Sequence, residues 1–231
     1  MVSERIWLDV PFGEKEEAKS AGARWDPSAK RWYAPHAGMT ALNRWTALPE
    51  IPALLPGEDR TFGAGLHVDL VPSSCWFTNV RYCIAPRDWE RLRRTLTSRA
   101  NHRCEICGRA EDREAQRWLE AHERWSYDSA TWTQKLVRLI CLCTDCHRTT
   151  HFGLAQIKGH ADAAFKHLCA VTGMTDSQAR QHIDRAFAIW RDRSTQNWHL
   201  DLSMITNAGI TLATPPAANQ RPGIAETRLR R

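Results

Sequence analysis

Two Cys-x-x-Cys pairs, "CEIC" at 104–107 and "CTDC" at 143–146, constrain the fold of this chain more than any other feature. Each pair lets two sulfurs reach one ion from a tight turn, and Gly108 relaxes the first turn. Two such pairs supply the four thiolates of a closed tetrahedral zinc site, which has no open position for water or substrate. The spacing therefore predicts a structural Zn²⁺ held by Cys104, Cys107, Cys143 and Cys146.

The charge of the chain favours a polyanionic partner. Lysine and arginine exceed the acidic residues by a net charge of +6, and arginine, which is suited to forked phosphate contacts, outnumbers lysine. Codon usage also enriches arginine, and composition alone leaves both explanations open. No apolar run approaches the roughly 18 residues that span a bilayer, and the start "MVSERIWLDV" lacks a signal-peptide layout. We therefore expect a cytoplasmic protein without a membrane partner.

Four segments are predicted along the chain, and together they indicate an α+β fold. Residues 1–50 read as a small Trp-rich α+β module, and residues 51–70, rich in proline and glycine, read as a linker. Residues 71–205 are predicted to form the zinc-containing domain with helices at its C-terminal end. Residues 214–231 are Pro-rich, polar and basic, which predicts a disordered tail.

The pattern "LDVPFGEKEEAKSAGARWDPSAKRWY" resembles a small Trp-rich domain of unknown function seen in plasmid-transfer primases and other mobile-element proteins. The resemblance implies nucleic-acid binding only through the proteins that carry this domain. Four tryptophans of the segment are predicted to form its core: Trp7, Trp25, Trp32 and Trp45. Its lysines and arginines form either a basic binding face or an ordinary solvated surface.

Histidines beside the second Cys pair suggest a second metal site. His147 follows that pair directly and His151 lies four residues later, so in a helix both imidazoles share one face and reach a single ion. Upstream, "WLEAHERW" reads as a strand that carries His122 between Glu120 and Glu123. Each histidine alone would more often be an ordinary core or helix-end residue.

The run "CEICG…WLEAHERW…LICLCTDCHRTTHFG" resembles the HNH endonucleases, over roughly residues 85–155. The resemblance implies a ββα-metal core flanked by helices, in which two strands and a helix surround one catalytic divalent ion. His147 and His151 match the helix positions that bind this ion. The identity of the ion stays open among Mg²⁺, Mn²⁺, Ni²⁺ and Zn²⁺.

Two registers of the strand are compatible with the family pattern. In the first, His122 is a third metal ligand and Glu123 occupies the position of the general-base histidine. In the second, His122 is the base and Ala121 occupies a ligand position that it cannot serve. The central asparagine of the family is replaced by Arg138 in this chain.

Arginines are predicted to contact the nucleic-acid backbone. The segment "PRDWERLRRTLTSRAN" reads as a helix with proline in its first turn and Trp89, Leu92 and Leu96 on one stripe. Its other face carries a row of arginines that either tracks phosphates or is simply solvated. The residues assigned to this contact are Arg87, Arg91 and Arg94, together with Arg138.

These observations predict a metal-dependent HNH-type endonuclease or nickase that hydrolyses phosphodiester bonds in DNA, in a mobile-element or phage-defence setting. The alternative is a catalytically weakened zinc module that binds nucleic acid or serves as an adaptor for protein partners in a larger complex.

Overall fold

The computed structural model describes residues 5–47, 50–217, 219–220, 223–224 and 227. The chain divides into two compact units, Met1–Glu50 and Ile51–Arg231, which are treated separately. Part of the segment 214–231, for which disorder is predicted, lies outside the described residues. Within the described residues, none of the helices combines the length and the hydrophobicity that crossing a bilayer requires.

The first unit is a three-stranded antiparallel sheet with one helix. Its strands β1 (Ile6–Leu8), β2 (Arg24–Asp26) and β3 (Arg31–Ala34) are arranged in the order β1-β3-β2. Helix α1 (Lys15–Ser20) connects the first two strands, and a 3-10 helix at Thr40–Trp45 follows the sheet. Gly22 ends the α1 segment with a φ of 99°, a conformation that side-chain-bearing residues rarely adopt.

The tryptophans of this unit differ in burial. Trp45 is 2% exposed and packs with Leu8 and Leu42 in the core. Trp25, in contrast, is 48% exposed, so its prediction as a core residue is wrong. It lies on the edge strand β2, where its ring packs against that of Trp32 on β3, with the ring centroids 5.4 Å apart.

The second unit contains the remaining helices and a second three-stranded sheet. Helix α3 begins at Pro86, as predicted, and buries Leu92 and Leu96. The elements in chain order are α2 (Val80–Cys83), α3 (Pro86–Arg99), β4 (Leu119–Asp128), β5 (Thr133–Cys143), α4 (Thr144–Thr150), α5 (Phe152–Ile157), α6 (Ala161–Thr172), α7 (Asp176–Ser194), β6 (His199–Asp201) and α8 (Ser203–Thr206).

The hairpin β4–β5 followed by α4 is the centre of this unit. The two strands pair antiparallel from Leu119↔Cys143 to Asp128↔Thr133, and a bulge lies between Arg124 and Trp125 of β4. Alternation along β4 separates two faces. Ala121 and Trp125 pack into the core that includes α3, whereas the side chain of Glu120 bonds to His147 of α4. The predicted α+β class, with small sheets, is confirmed.

The segment 51–70, predicted as a linker, is instead part of the fold. Leu55, Leu66 and Val68 are each at most 5% exposed. Both carboxylate oxygens of Glu58 accept hydrogen bonds of 2.6 Å from the Arg99 guanidinium, and both side chains are almost completely buried. The linker prediction is wrong because proline and glycine shape ordered turns here rather than a solvated connection.

Candidate metal centre

The four predicted zinc ligands come together. The sulfur atoms of Cys104, Cys107, Cys143 and Cys146 all lie within 4.8 Å of one another, and those of Cys107 and Cys143 are 3.6 Å apart. A tetrahedral ion with Zn–S bonds of about 2.3 Å places its sulfurs about 3.8 Å apart, so this cluster could hold a structural metal. Three of the four cysteines are at most 2% exposed, and all eight cysteines are free thiols.

Backbone contacts hold the first Cys pair against the hairpin. The Gly108 amide donates to the Cys104 carbonyl, and the φ of 72° at Gly108 closes the turn. Glu105, inside the pair, exchanges two contacts with β5. Its amide donates to the Cys141 carbonyl, and its carboxylate accepts from the Cys141 amide at 2.6 Å. Cys141 is 1% exposed and is a core residue, as the sequence indicates.

A histidine outside the predicted motif also contacts the cysteines. Nε2 of His167, on α6, lies 3.2 Å from the sulfur of Cys146. An N–H donor to a metal-bound thiolate fixes the position of the sulfur and compensates its charge. Burial lowers the pKa of His167, which favours the neutral ring that can donate this bond. The sequence contains no spacing signal for this contact, because α6 lies outside the Cys-rich segment.

The three predicted histidines also come together, as a second cluster. His122 on β4, His147 on α4 and His151 at the C-terminal end of α4 have ring centroids 4.6–5.3 Å apart. One ring nitrogen of each lies within 4.8 Å of one nitrogen of the others. His147 and His151 are one helical turn apart, which the spacing of four residues predicts. Three imidazoles in this arrangement could bind one divalent ion and leave a position open.

Burial favours the neutral, metal-binding form of two histidines of this cluster, His122 and His151. His122 is 5% exposed, and its Nε2 has no hydrogen-bond partner in the described structure. Burial, with the neighbouring His151 and His147, holds the pKa of His122 well below its usual value. Burial likewise lowers the pKa of His151 to about 3. An orphaned, neutral, buried imidazole nitrogen fits a metal ligand, because the ion would replace the missing hydrogen bond.

Glu120 orients one of these rings. Its Oε2 lies 3.0 Å from Nδ1 of His147, so Nδ1–H donates to the carboxylate and Nε2 remains available to a metal. Burial disfavours ionisation of Glu120, but hydrogen bonds from His147 and Thr144 outweigh burial and lower its pKa. The sequence assigns no role to Glu120, which lies two residues before His122; the structure shows its contact with His147.

Glu123 does not join the histidine cluster. It follows His122 on β4 and therefore points to the other face of the sheet, the face of Ala121 and Trp125. There its Oε1 accepts a 2.8 Å hydrogen bond from the amide of Val80. Burial raises the pKa of Glu123 to about 7. The structure thus brings together the three histidines of the first register but separates from them the residue predicted as the base.

The predicted arginine contacts fall into two groups. Arg138 is 6% exposed and bonds to Glu105 and to the Phe62 carbonyl, so its prediction as a surface phosphate contact is wrong. It lies in the middle of β5, where the turn at 59–66 covers it. On α3, Arg94 is paired with Glu90 but 74% exposed, whereas Arg91 is paired with Asp88 and only 20% exposed. Arg87 is partly buried at the start of the same helix.

Comparisons with known proteins concern only part of this chain. The family described as a domain of unknown function (DUF5710) matches residues 5–47. Two Escherichia coli proteins, each named DNA primase TraC, are 46% identical over 61 residues and 56% identical over 60 residues. Each match covers 24% of this chain, but only 6% and 4% of the two primases. This chain therefore spans a small fraction of these relatives.

No solved structure matches the chain. The prediction of a Trp-rich domain of unknown function at the start of the chain is confirmed by the family match. Residues 5–47 of this protein are a DUF5710 domain.

Proposed function

We propose that the second unit is a metal-dependent, HNH-type endonuclease or nickase that hydrolyses phosphodiester bonds in DNA. The observation that carries this proposal is the convergence of His122, His147 and His151, with the orphaned Nε2 of His122 inside the cluster. A zinc module with a purely structural role needs only the four cysteines. It would not require three histidines to meet beside them, one of them with an unsatisfied nitrogen.

Each group of residues in the second unit has its own role in the proposed reaction. The four cysteines hold a zinc that ties the turn at 104–107 to the junction of β5 and α4. Helix α4 then presents His147 and His151 to His122 of β4. A divalent ion bound there supplies positive charge to a phosphodiester and lowers the pKa of water. Glu120 keeps His147 in one tautomer. Arg94, exposed on α3, is a candidate contact for the DNA backbone.

The position of Glu123 favours the alternative function, a module that binds nucleic acid without cutting it. Within the described residues, no carboxylate joins the histidine cluster at ligand distance, and the family's base position points to the opposite face. A protein with this cluster and no base would bind a metal and nucleic acid without cutting. The nuclease is favoured here because three imidazole ligands leave a coordination position open for water or a phosphodiester, which a module that only binds does not need.

A plasmid-nicking assay separates the two functions. Supercoiled DNA is incubated with the protein in Mg²⁺, Mn²⁺, Ni²⁺ or EDTA, and His147→Ala is compared with His160→Ala. His160 is an exposed histidine of the same unit and serves as the matched control. We expect nicking by the wild type and by His160→Ala, loss of nicking in His147→Ala and in EDTA, and equal zinc content in all three proteins. Full activity of His147→Ala would sink the nuclease assignment.

The first unit adds a face suited to single-stranded DNA. Trp7 and Tyr33 are partly exposed on the side of the sheet opposite its core, with ring centroids 6.1 Å apart. The guanidinium of Arg5 lies over Tyr33 at 4.9 Å, and that of Arg31 lies over Trp7 at 5.5 Å. Aromatic and guanidinium planes stack on bases, although Asp26 and Asp9 pair with these arginines and reduce the net charge.

The primase names of the relatives support this assignment for the first unit. Fluorescence anisotropy of a labelled oligonucleotide should show weaker binding by the Trp7→Ala, Tyr33→Ala double variant than by wild type. The control is Phe12→Ala, which removes an aromatic ring that is 83% exposed but lies outside the strands. Equal weakening by both variants would argue against a binding site on this face.

A further inference from the structure

Arg124 is a buried cation without adequate partners. It lies on β4, two residues after His122, and is 1% exposed. Its Nε and Nη1 are buried and have no hydrogen-bond partner, and Nη2 makes only a 3.4 Å contact with the Gly65 carbonyl. Oδ2 of the Asp69 carboxylate lies 3.9 Å from Nη1, too far for a hydrogen bond. A guanidinium offers five N–H donors, and most of these are unused.

The other groups around Arg124 do not supply the missing acceptors. Arg138 lies directly across the hairpin and is also positive, and burial, together with this neighbouring charge, lowers the pKa of Arg124. His67 is partly buried, and burial, followed by the charge of Arg124, lowers its pKa to about 4. Glu105 is already paired with Arg138, so it is not the counterion of Arg124, and Asp69 lies 3.9 Å from Nη1. Burial raises the pKa of Asp69, which weakens it further as a counterion.

The position of Arg124 links this deficit to the histidine cluster. Residues 122 and 124 share a face of β4, so the guanidinium is on the same side of the sheet as the imidazoles. Alternate residues of a strand are about 6.6 Å apart, so Arg124 and His122 are neighbours on this face. A cation beside a candidate metal site is a natural partner for an anion that the metal also binds.

We propose that Arg124 forms an anion subsite that binds a phosphate oxygen next to the metal held by the three histidines. This inference rests on the proposed function and concerns a residue to which the HNH resemblance assigns no role. The side-on fork of a guanidinium consists of Nε–H and Nη2–H, so one phosphate there would satisfy the unpaired Nε and replace the weak contact between Nη2 and Gly65.

The turn at 61–65 covers this subsite, so it must shift to admit a phosphate. A Cβ at Gly63 would lie 3.2 Å from Cδ of Arg124, and the φ of Gly63 is 59°. The backbone can approach the guanidinium this closely because the residue has no side chain. Gly65, with a φ of 81°, provides the weak carbonyl contact that a phosphate oxygen would replace.

The test uses inorganic phosphate as the probe and thermal unfolding of the full chain as the readout. Phosphate is titrated against chloride at equal ionic strength, for wild type, Arg124→Met, Arg124→Lys and the control Arg113→Met, at an arginine of the same unit whose side chain is 81% exposed. Wild type and Arg113→Met should show a rise in Tm with phosphate. Arg124→Met should lose this rise, with an affinity about 10–100-fold lower, and Arg124→Lys should keep a part of it because the charge but not the fork remains.

The Tm of Arg124→Met in phosphate-free buffer is a second readout, because a structural role of Arg124 would change it in the opposite direction. If the guanidinium is an unpaired buried cation, Arg124→Met removes an unfavourable burial and leaves Tm equal or higher. If Arg124 serves to pair with Asp69, the same variant leaves a buried carboxylate unpaired and lowers Tm. Retention of the phosphate effect by Arg124→Met, or a lower Tm in phosphate-free buffer, overturns the proposal.

The two proposals fail independently. A phosphate effect that depends on Arg124, in a protein that does not nick DNA, would leave the anion subsite standing and remove the nuclease function. Nicking that requires His147, combined with an unchanged phosphate response in Arg124→Met, would remove the subsite alone.

Discussion

Glu120→Ala is expected to weaken binding of the divalent ion at the histidine cluster while the zinc at the cysteines stays in place. The carboxylate accepts a hydrogen bond from Nδ1 of His147 at 3.0 Å and so fixes the ring with Nε2 toward the cluster. Removal of such an outer contact typically lowers metal affinity by about 10–100-fold. The Glu120 and His147 side chains are 37% and 26% exposed, so water competes for this bond and the loss should lie near 10-fold, about 1.4 kcal/mol.

Titration with Co²⁺, followed by its visible absorption, measures this affinity, and elemental analysis measures the zinc. Glu120→Gln keeps an acceptor oxygen for Nδ1–H and should lose less than Glu120→Ala. Glu114→Ala, at an exposed carboxylate of the same unit, is the control and should bind Co²⁺ as the wild type does. Unchanged Co²⁺ affinity in Glu120→Ala, with the zinc retained, would refute the idea that the carboxylate orients His147 for a metal.

Three further outcomes follow from the second unit. Cys143→Ser should remove the zinc and unfold the hairpin–helix core at ambient temperature, measured by elemental analysis and near-UV circular dichroism, because structural zinc binding is coupled to folding. Glu58→Ala leaves the buried Arg99 guanidinium unpaired and should lower the free energy of unfolding by about 3–5 kcal/mol in a urea titration, a loss that a true linker residue would not cause. Burial and nearby Arg124 and His182 lower the pKa of His67 from 6.5 to about 4, so the folded state binds fewer protons in this range and loses stability as the pH falls through it. His67→Asn should reduce this acid destabilisation by roughly 2–3 kcal/mol, measured as the difference in unfolding free energy between pH 7 and pH 4.

The parts of the site that the sequence predicts are those fixed by local geometry. Two residues between cysteines define a knuckle, and the spacing of four positions from His147 to His151 defines one helical turn, so spacing alone indicates which side chains meet. The position of His122 follows from the family resemblance, which supplies the strand that faces the helix. The helix over 86–99 follows from its proline start and the period of Leu92 and Leu96.

The wrong predictions concern residues whose surroundings are determined by packing between distant parts of the chain. Proline and glycine in 51–70 indicate a connection, but sequence does not show that Glu58 will pair with Arg99 forty-one residues later. Arg138 reads as a surface charge until Glu105 of the first Cys pair is found beside it. His167 and Arg124 lack any spacing signal, since their contacts are set by the packing of α6 and of the turn at 59–66.

The face that Glu123 occupies leads to a decisive test of the base. If Glu123 activated the attacking water, Glu123→Gln would slow nicking by about 10²–10⁴-fold, the usual contribution of a general base. The structure instead places this carboxylate on the opposite face from His122, where it accepts the amide hydrogen of Val80 at 2.8 Å. A glutamine amide oxygen can accept the same bond, so Glu123→Gln should keep the fold and most of the nicking rate, whereas His122→Ala should lose both the ion and the activity. If Glu123→Gln lowers the nicking rate by 10²-fold or more while its Co²⁺ affinity is unchanged, the carboxylate does take part in the reaction. Its side chain would then have to reach the His122 face of β4 when the substrate is bound.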